Sequence, residues 1–194
     1  AGKTTKTNNV GFVLGMATST MNEFGYGYIS GVKDANADAN VLQANINSFA
    51  DASAGKTATN NMIANNADVV FHAAGGSGHG VIEAAREAKI WAIGVDSDQS
   101  KDAPETILTS AMKRVDNAVF DETKAILDGT YKSGVKVYSL SDGGVDIAPT
   151  TTNLPEELFK EVEDVKAKII AGEVKVPNNK ADFEAKYGDI YDLD

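Results

Sequence analysis

The stretch "ADVVFHAAGGSGHGVIEAAREAK", residues 67–89, passes from β-branched and apolar residues through closely spaced glycines into a segment with helical spacing. Its first eight residues read as a strand, and Gly75, Gly76, Gly78 and Gly80 punctuate the turn. After the turn, Val81, Ala84, Ala85 and Ala88 fall on one helical face and form the expected inward stripe. A strand, a glycine turn and a helix make half of a βαβ unit. Whether that unit repeats decides the fold.

It does repeat. Upstream, "VGFVL" (10–14) is a strand and a helix follows from about Thr20. "VLQANI" (41–46) is a second strand, followed by the loop "NSFADASAG" (47–55) and the helix "KTATNNMIANN" (56–66), with Ala58, Met62 and Ile63 on one face. Downstream, "WAIGVD" (91–96) and "TILTSAMK" (106–113) are the fourth and fifth strands. "RVDNAVFDETKAILDG" (114–129) is a helix whose Val115, Val119, Thr123 and Ile126 share a face and whose Gly129 supplies the stop. Crossovers of this length imply parallel pairing with right-handed connections, so the fold class is α/β with a doubly wound parallel sheet.

Beyond residue 134 the pattern changes. "VKVYSLSDGGVDIAP" (135–149) reads as two short extended pieces about a Gly143-Gly144 turn. A helix opened by Pro155 and closed near Gly172 follows, and then a polar, acidic tail with the amphipathic piece "ADFEAKYG" (181–188). The expected organisation is a ligand-binding α/β lobe over 1–134 and, over 135–194, a strand pair, helix and tail packing on it.

Composition narrows the function. The 194 residues carry 28 acidic and 18 basic side chains, a net charge of −10 without a compensating basic run, which disfavours nucleic acid and anionic membrane as partners. With no cysteine there is no thiol nucleophile or thiolate metal site, and His72 and His79 by themselves cannot make a zinc site. Neither histidine has a serine and an acid in a nucleophile-elbow pattern, so each reads as a packed or surface residue and no catalytic residue is assigned. No apolar run approaches the roughly 20 residues that span a bilayer, and "AGKTTKTNNV" lacks the apolar core of a secretory signal; any targeting segment is expected outside this chain.

In open α/β sheets ligands bind outside the carboxyl ends of the strands, where loops converge and helix N-termini present free N–H groups. Those ends offer Asn22 and Phe24 after the first strand, Phe49 and Asp51 after the second, the glycine loop after the third, Asp96 and Asp98 after the fourth and Lys113 after the fifth. Phe49 is an aromatic in a polar loop, either folded back over the core or serving as a stacking platform for a flat ligand. Asp96 and Lys113 suit the vicinal hydroxyls of a sugar, one accepting and one donating, and would equally make a plain ion pair.

Three motifs compete with this reading. Gly76, Gly78 and Asp96 approximate a dinucleotide fingerprint, the basis of an alternative as an NAD-dependent oxidoreductase, but Val81 replaces the third glycine and the loop follows the third strand. "ADASAGKT" (50–57) lacks the first glycine of a phosphate loop, having Ala50 there, so Gly55 and Lys56 read as the start of a solvated helix. "DSDQSKD" (96–102) has Lys101 where a calcium loop needs glycine, which leaves Asp98 and Asp102 as turn and loop residues and argues against a metal. No cofactor is expected.

The blocks "VGFVLGM", "FGYGYISGVKDAN", "SFADASAGKTAT", "ADVVFHAAGGSGHGVIEAAREAK", "AIGVDSDQS", "LTSAMKRVD" and "GGVDIAP", in that order across residues 9–177, resemble the basic membrane protein family of substrate-binding lipoproteins. That group includes purine-nucleoside receptors of ABC-type importers. The resemblance implies a two-lobed type I periplasmic binding protein fold, of which this chain supplies mainly the second lobe, the N-terminal lobe being largely absent. It also implies that Phe49 stacks on a base, that Gly75 or Gly76 lets backbone approach the ligand, that Asp96 and Lys113 hold a ribose, and that Asn22 and Phe24 face the same cleft. The implied partners are a small solute, a purine nucleoside or another solute such as a sugar, and the importer's permease. The implied location is extracytoplasmic, with a lipid anchor outside this chain. The segment 141–153 is expected near the hinge, where Val145 and Ile147 would lose packing partners and favour self-association of the isolated lobe.

Overall fold

The first βα unit is a strand, β1 (Asn9–Leu14), followed by helix α1 (Ser19–Ala35), whose N-terminus is capped by the Thr18 hydroxyl accepting from the Met21 N–H. Next come β2 (Asn40–Asn45), α2 (Ala52–Ala64), β3 (Val69–Ala73), a single 3-10 turn (Gly75–Ser77), α3 (Gly78–Ala88) and β4 (Trp91–Asp96). The chain continues through β5 (Ile107–Lys113), α4 (Val115–Leu127), β6 (Val145–Ile147), α5 (Glu156–Ile170) and α6 (Lys180–Tyr187). This computed structural model describes residues 1–150 and 152–193. Thr151, inside the expected hinge stretch, and Asp194, at the end of the expected C-terminal unit, lie outside the described residues.

All six strands form one sheet in the order β2-β1-β3-β4-β5-β6, with β1 to β5 parallel and β6 antiparallel to β5. The doubly wound α/β sheet expected from the alternating pattern is therefore present. Every residue of β3 and all but the first of β1 are buried, as parallel strands covered on both faces must be. Successive residues serve opposite faces. Val13, Val70 and Ala92 join Met62 of α2 and Val81 of α3 in one cluster, while Phe12, Leu14 and Phe71 join Tyr26 and Ile29 of α1 in another.

The second cluster also takes Phe183 of α6 and Tyr191 and Leu193 of the tail. Phe183 is fully buried and stacks near Tyr26, with ring centroids 5.2 Å apart. Two hydrogen bonds to the Gln43 side chain then pin the tail across β2: Gln43 Nε2 donates to the Ile190 carbonyl and the Asp192 N–H donates to Gln43 Oε1. The polar, acidic tail of the sequence is thus held by three apolar side chains.

Several local expectations change. Helix α2 starts at Ala52, capped by Asp51, so the loop before it is shorter than 47–55. Gly55 is no solvated start: it is buried, and a Cβ there would sit 2.2 Å from the Ser77 carbonyl. Lys56 pairs with Glu83 and Glu87 across the helix interface. On α3 the inward face is Val81, Ile82, Ala84 and Ala85; Ala88, in the last turn, is exposed. Only the second of the two extended pieces in 135–149 is a strand, because β6 alone finds a sheet edge to pair with.

The largest departure is α4, which buries no residue: Val115, Val119 and Ile126 are 52%, 59% and 62% exposed, and Phe120 and Leu127 are exposed as well. Residues 115–143 form an excursion whose ends meet where the Arg114 N–H donates to the Gly144 carbonyl. The apolar surface of the chain is concentrated there, more than at Val145 (37% exposed) or half-buried Ile147. Among the described residues no helix is long and apolar enough to cross a membrane.

Two features of this core are directly testable. Helices α2 and α3 touch through glycine, since a Cβ on Gly80 would lie 1.8 Å from the Ala52 carbonyl, whereas one on Gly31 of α1 meets nothing within 4 Å. Gly80→Ala should cost about 1–3 kcal/mol or more by forcing the helices apart, and Gly31→Ala should gain about 0.5–1 kcal/mol by restricting the unfolded chain; urea denaturation of the two variants checks both signs.

His72, fully buried on β3, supplies the second. Burial pushes its imidazole from 6.5 down to about 4, overriding the opposing hydrogen bond to Gln99. The unfolded chain takes up this proton near pH 6.5 and the folded chain only near 4, so the contribution is complete above pH 6.5 and is lost as pH falls toward 4. The loss should reach roughly 3 kcal/mol at about 1.4 kcal/mol per pH unit, and His72→Gln should flatten that limb of a urea-midpoint profile taken from pH 7 to 4.

Candidate functional site

Because β1 to β5 are parallel, their carboxyl ends lie along one edge of the sheet, and the winding direction reverses between β1 and β3. The loop after β2 folds across that reversal. Phe49 sits on it with its ring against Gly15, where a Cβ would be 2.4 Å from the ring, and near Gly75, where a Cβ would be 3.4 Å from the Phe49 Cβ. Gly75 has φ of +53°, a left-handed conformation that glycine adopts without penalty. The aromatic therefore packs on backbone at two glycines and remains 40% exposed on its outer side. Of the two readings of Phe49, the geometry has something of each: one face rests on the strand ends and the other is open.

Ser77 holds this loop in place from within. Its fully buried hydroxyl donates to the Ser48 carbonyl at 3.0 Å and accepts from the Asp51 N–H at 2.8 Å, and its own N–H donates to the Phe49 carbonyl. Asp51 in turn caps α2. The glycine loop and the Phe49 loop are thereby one unit joined through a single serine.

On the other side of Gly75, Asp96 closes β4 and Lys113 closes β5. Lys113 Nζ lies 2.8 Å from Asp96 Oδ1, with the side chains 52% and 45% exposed. An ion pair this open contributes roughly 0–1 kcal/mol, so it is poorly explained as a stability device. The backbone at Asp96 has φ of +66°, and the Ser97 N–H donates to the Val95 carbonyl at 2.8 Å, a tight three-residue turn in an unfavourable region for a residue with a side chain. That turn swings the carboxylate toward Lys113 instead of continuing the strand.

Phe24, Phe49, Gly75, Asp96 and Lys113, five of the seven expected ligand residues, line a single depression of about 260 Å³ together with Met21, Ala73 and Val95. Two are elsewhere. Asn22 is turned from the cleft into the core, where its Oδ1 accepts from the Tyr191 hydroxyl at 2.9 Å. The helical register explains this: Met21 and Phe24 lie on the cleft side of the first turns of α1, and Asn22 falls on the side covered by the tail. Gly76 is beside Phe49 without lining the depression; a Cβ there would be 3.1 Å from the Phe49 carbonyl.

The second glycine of the dinucleotide-like pattern has a packing role within the chain. A Cβ on Gly78 would fall 2.0 Å from the His72 ring, so the space that glycine leaves is filled by an imidazole from β3. His79 is exposed. Asp98 is tied to a loop, accepting from Ser100 and Thr150, and among the described residues no group of three or more His, Asp or Glu is placed to hold a metal ion.

Sequence reasoning missed Met21, Ser77 and Gln99. Met21 could have been found from its place one turn before Phe24 on α1. Ser77 and Gln99 carry no motif: each is one polar residue among several in its loop, and what marks it is burial or a convergence of partners from three strands.

Comparison with known proteins completes the site's context. Residues 1–180 match the sequence profile of the Bmp family, described as ABC transporter substrate-binding protein PnrA-like. The chain is 37% identical over 194 residues to a CD4+ T-cell-stimulating antigen of Listeria monocytogenes, covering 91% of this chain and 54% of that protein. It is likewise 37% identical over 196 residues to the ABC transporter nucleoside-binding protein BmpA of Lactococcus lactis, covering 92% of this chain and 55% of that protein. A solved structure of an ABC transporter solute-binding protein from Aeropyrum pernix superposes with a TM-score of 0.79 at 26% identity, covering 91% of this chain and 60% of that one. The chain spans about half the length of the curated relatives it matches. With its sheet order, its glycine-lined cleft and this match over nearly all its length, the chain belongs to the Bmp family of PnrA-like ABC transporter substrate-binding proteins.

Proposed function

We propose that this chain is the ligand-binding lobe of a solute receptor for a nucleoside, serving an ABC-type importer and acting without chemistry of its own. The observation that carries the reading is the 260 Å³ depression in which an open aromatic face and a carboxylate–ammonium pair stand at neighbouring strand ends. Phe49 offers a platform for a base, a contact of about 1–3 kcal/mol. Asp96 accepts from vicinal hydroxyls and Lys113 donates to them, exchanging a weak mutual pair for charge-assisted hydrogen bonds to the ligand. Gly75 lets backbone approach from between. The name of the Lactococcus relative points to the same ligand class.

In this reading residues 1–134 carry the ligand face and residues 135–194 serve the hinge side, and a second lobe closes over the depression. The exposed apolar face of α4, with Val115, Val119, Phe120 and Leu127, is where that lobe packs. The receptor works outside the cytoplasm, tethered by a lipid anchor, and delivers its solute to a permease. Closure of two lobes makes each face necessary, because affinity then comes from contacts that neither makes alone.

Calorimetry on the two-lobed receptor with inosine, adenosine and guanosine should give micromolar or tighter binding of at least one, and Phe49→Ala should weaken it roughly tenfold or more. A receptor that ignores all three and binds a sugar, or that binds NADH, would overturn the nucleoside reading.

The 194-residue chain alone should bind the same ligand at least a thousandfold more weakly, since halving a contact energy of about −8 kcal/mol moves a micromolar constant to the millimolar range. It should also self-associate in sedimentation runs through its uncovered apolar surface; parental affinity in a monomeric chain would show the second lobe to be dispensable.

A further inference from the structure

Strands β3 and β4 pair only as far as Phe71 and Ile93, so toward their carboxyl ends they part. A parted strand leaves main-chain donors without ladder partners, and a donor on a buried residue such as Val95 costs free energy unless something replaces the lost bond. Here the replacement is one side chain. Gln99 Oε1 accepts from the Val95 N–H at 2.9 Å and from His72 Nε2 at 3.1 Å. The Gln99 side-chain amide donates to Asp102 Oδ2 at 3.2 Å, and the Gln99 backbone N–H donates to the Ser110 hydroxyl of β5 at 3.1 Å. β3, β4 and β5 therefore meet at a single residue three positions after Asp96, β3 and β4 through its side-chain amide and β5 through its backbone N–H.

The surroundings are shaped to this amide. A Cβ on Gly94 would be 2.5 Å from the Ser110 hydroxyl and 2.8 Å from Gln99 Oε1, and the His72 ring that donates to Gln99 occupies the space left by Gly78. Val95, which Gln99 holds, is the residue before Asp96, and its carbonyl closes the tight turn that puts Asp96 at φ of +66°.

We infer that Gln99, held in turn by His72, is a positioning residue for the Asp96–Lys113 pair: by fixing Val95 it holds the strained turn that aims the Asp96 carboxylate across the strand ends. The inference rests on the ribose role given to that pair above, and its structural half stands apart from any ligand. A strained backbone residue persists only where its neighbours over-determine it; here the ladder to β5 pairs Val95 with Ala111 and Asp96 with Met112 on one side, and the Gln99 amide holds Val95 on the other. Neither residue touches the depression, so neither contacts the ligand itself.

The test uses the 194-residue chain and two readouts. In amide hydrogen exchange, Gln99→Met should speed exchange of the Ser97 N–H at least tenfold while the Phe12 and Val70 amides stay within about threefold, whereas a residue that merely stabilised the fold would move all three together. Gln99→Asn, one methylene shorter and still polar, gives the same comparison if the methionine variant does not fold. The pair Gln99→Glu with Asp102→Asn keeps the acceptor and reverses the outer hydrogen bond, and should restore Ser97 protection. Unchanged Ser97 exchange in a folded Gln99→Met or Gln99→Asn chain, or equal loss at all three amides, overturns the inference.

The second readout is NMR titration with millimolar inosine and 2′,3′-dideoxyinosine. The unmodified chain should prefer inosine, and Gln99→Met should lose that preference about tenfold with little change toward the dideoxy compound. Selective release of Ser97 without any preference in the unmodified chain would support the positioning role and remove the ribose role from the pair. A preference that survives Gln99→Met intact would overturn the positioning role while leaving the nucleoside reading in place.

Discussion

The rest of the molecule depends on β1 having a parallel partner on each side. A parallel strand needs a crossover to reach its neighbour, and right-handed crossovers going to opposite sides of β1 must put their helices on opposite faces of the sheet. That places α1 against Phe12 and Phe71 and places α2 and α3 against Val13 and Val70. It also leaves the loops after β1 and β3 diverging from a common point, and a crevice is what remains between them. The candidate cleft is a by-product of chain winding; its chemistry is then supplied by a few side chains at five strand ends.

Close backbone approach is the means by which those few side chains are held. Gly55 and Gly80 let α2 and α3 touch, which sets the height of the glycine loop above the sheet. Gly15 and Gly75 let Phe49 lie down on the strand ends, and Gly78 and Gly94 make room for His72 and Gln99. Beneath the cleft the sheet is not a regular ladder: β3 and β4 part after Ile93, the half-buried Gln99 side chain bonds both His72 and the Val95 N–H across the parting, Ser110 of β5 accepts from the Gln99 N–H, and Ser77 ties the glycine loop to the Phe49 loop. Such a network is costly unless satisfied, which ties the shape of the cleft floor to a small number of hydrogen bonds. His72 Nδ1, buried and without a hydrogen-bond partner against Gly78, is the one atom of that set left unsatisfied.

The surface divides unevenly between what the fold covers and what it leaves. The tail, rich in acidic residues, is drawn over α1 by Phe183, Tyr191 and Leu193, while α4, with more apolar residues in its sequence, stands uncovered. Apolar content alone did not decide which segment packs. The tail can reach a free face of the sheet, and α4 leaves the sheet at Lys113 and returns at Val145, with its apolar face turned to solvent. Among the described residues nothing buries the apolar stripe of this helix.

The amino-acid sequence by itself determined the fold class, the order of the elements and the existence of a glycine-bounded cleft at the strand ends, because periodicities of two and 3.6 residues and the conformational freedom of glycine are properties of short segments. It also singled out Phe49, Asp96 and Lys113, since an aromatic or charged residue at a strand end needs no tertiary knowledge to be noticed. Only the tertiary structure decided that Asn22 turns to Tyr191, that the tail belongs to the core and α4 does not, and that Gly78 serves an imidazole. It alone brought Ser77, His72 and Gln99 under the site. Each of these depends on which residues far apart in the chain come to share a buried space, and a buried polar atom is defined by its partners, which no local pattern records.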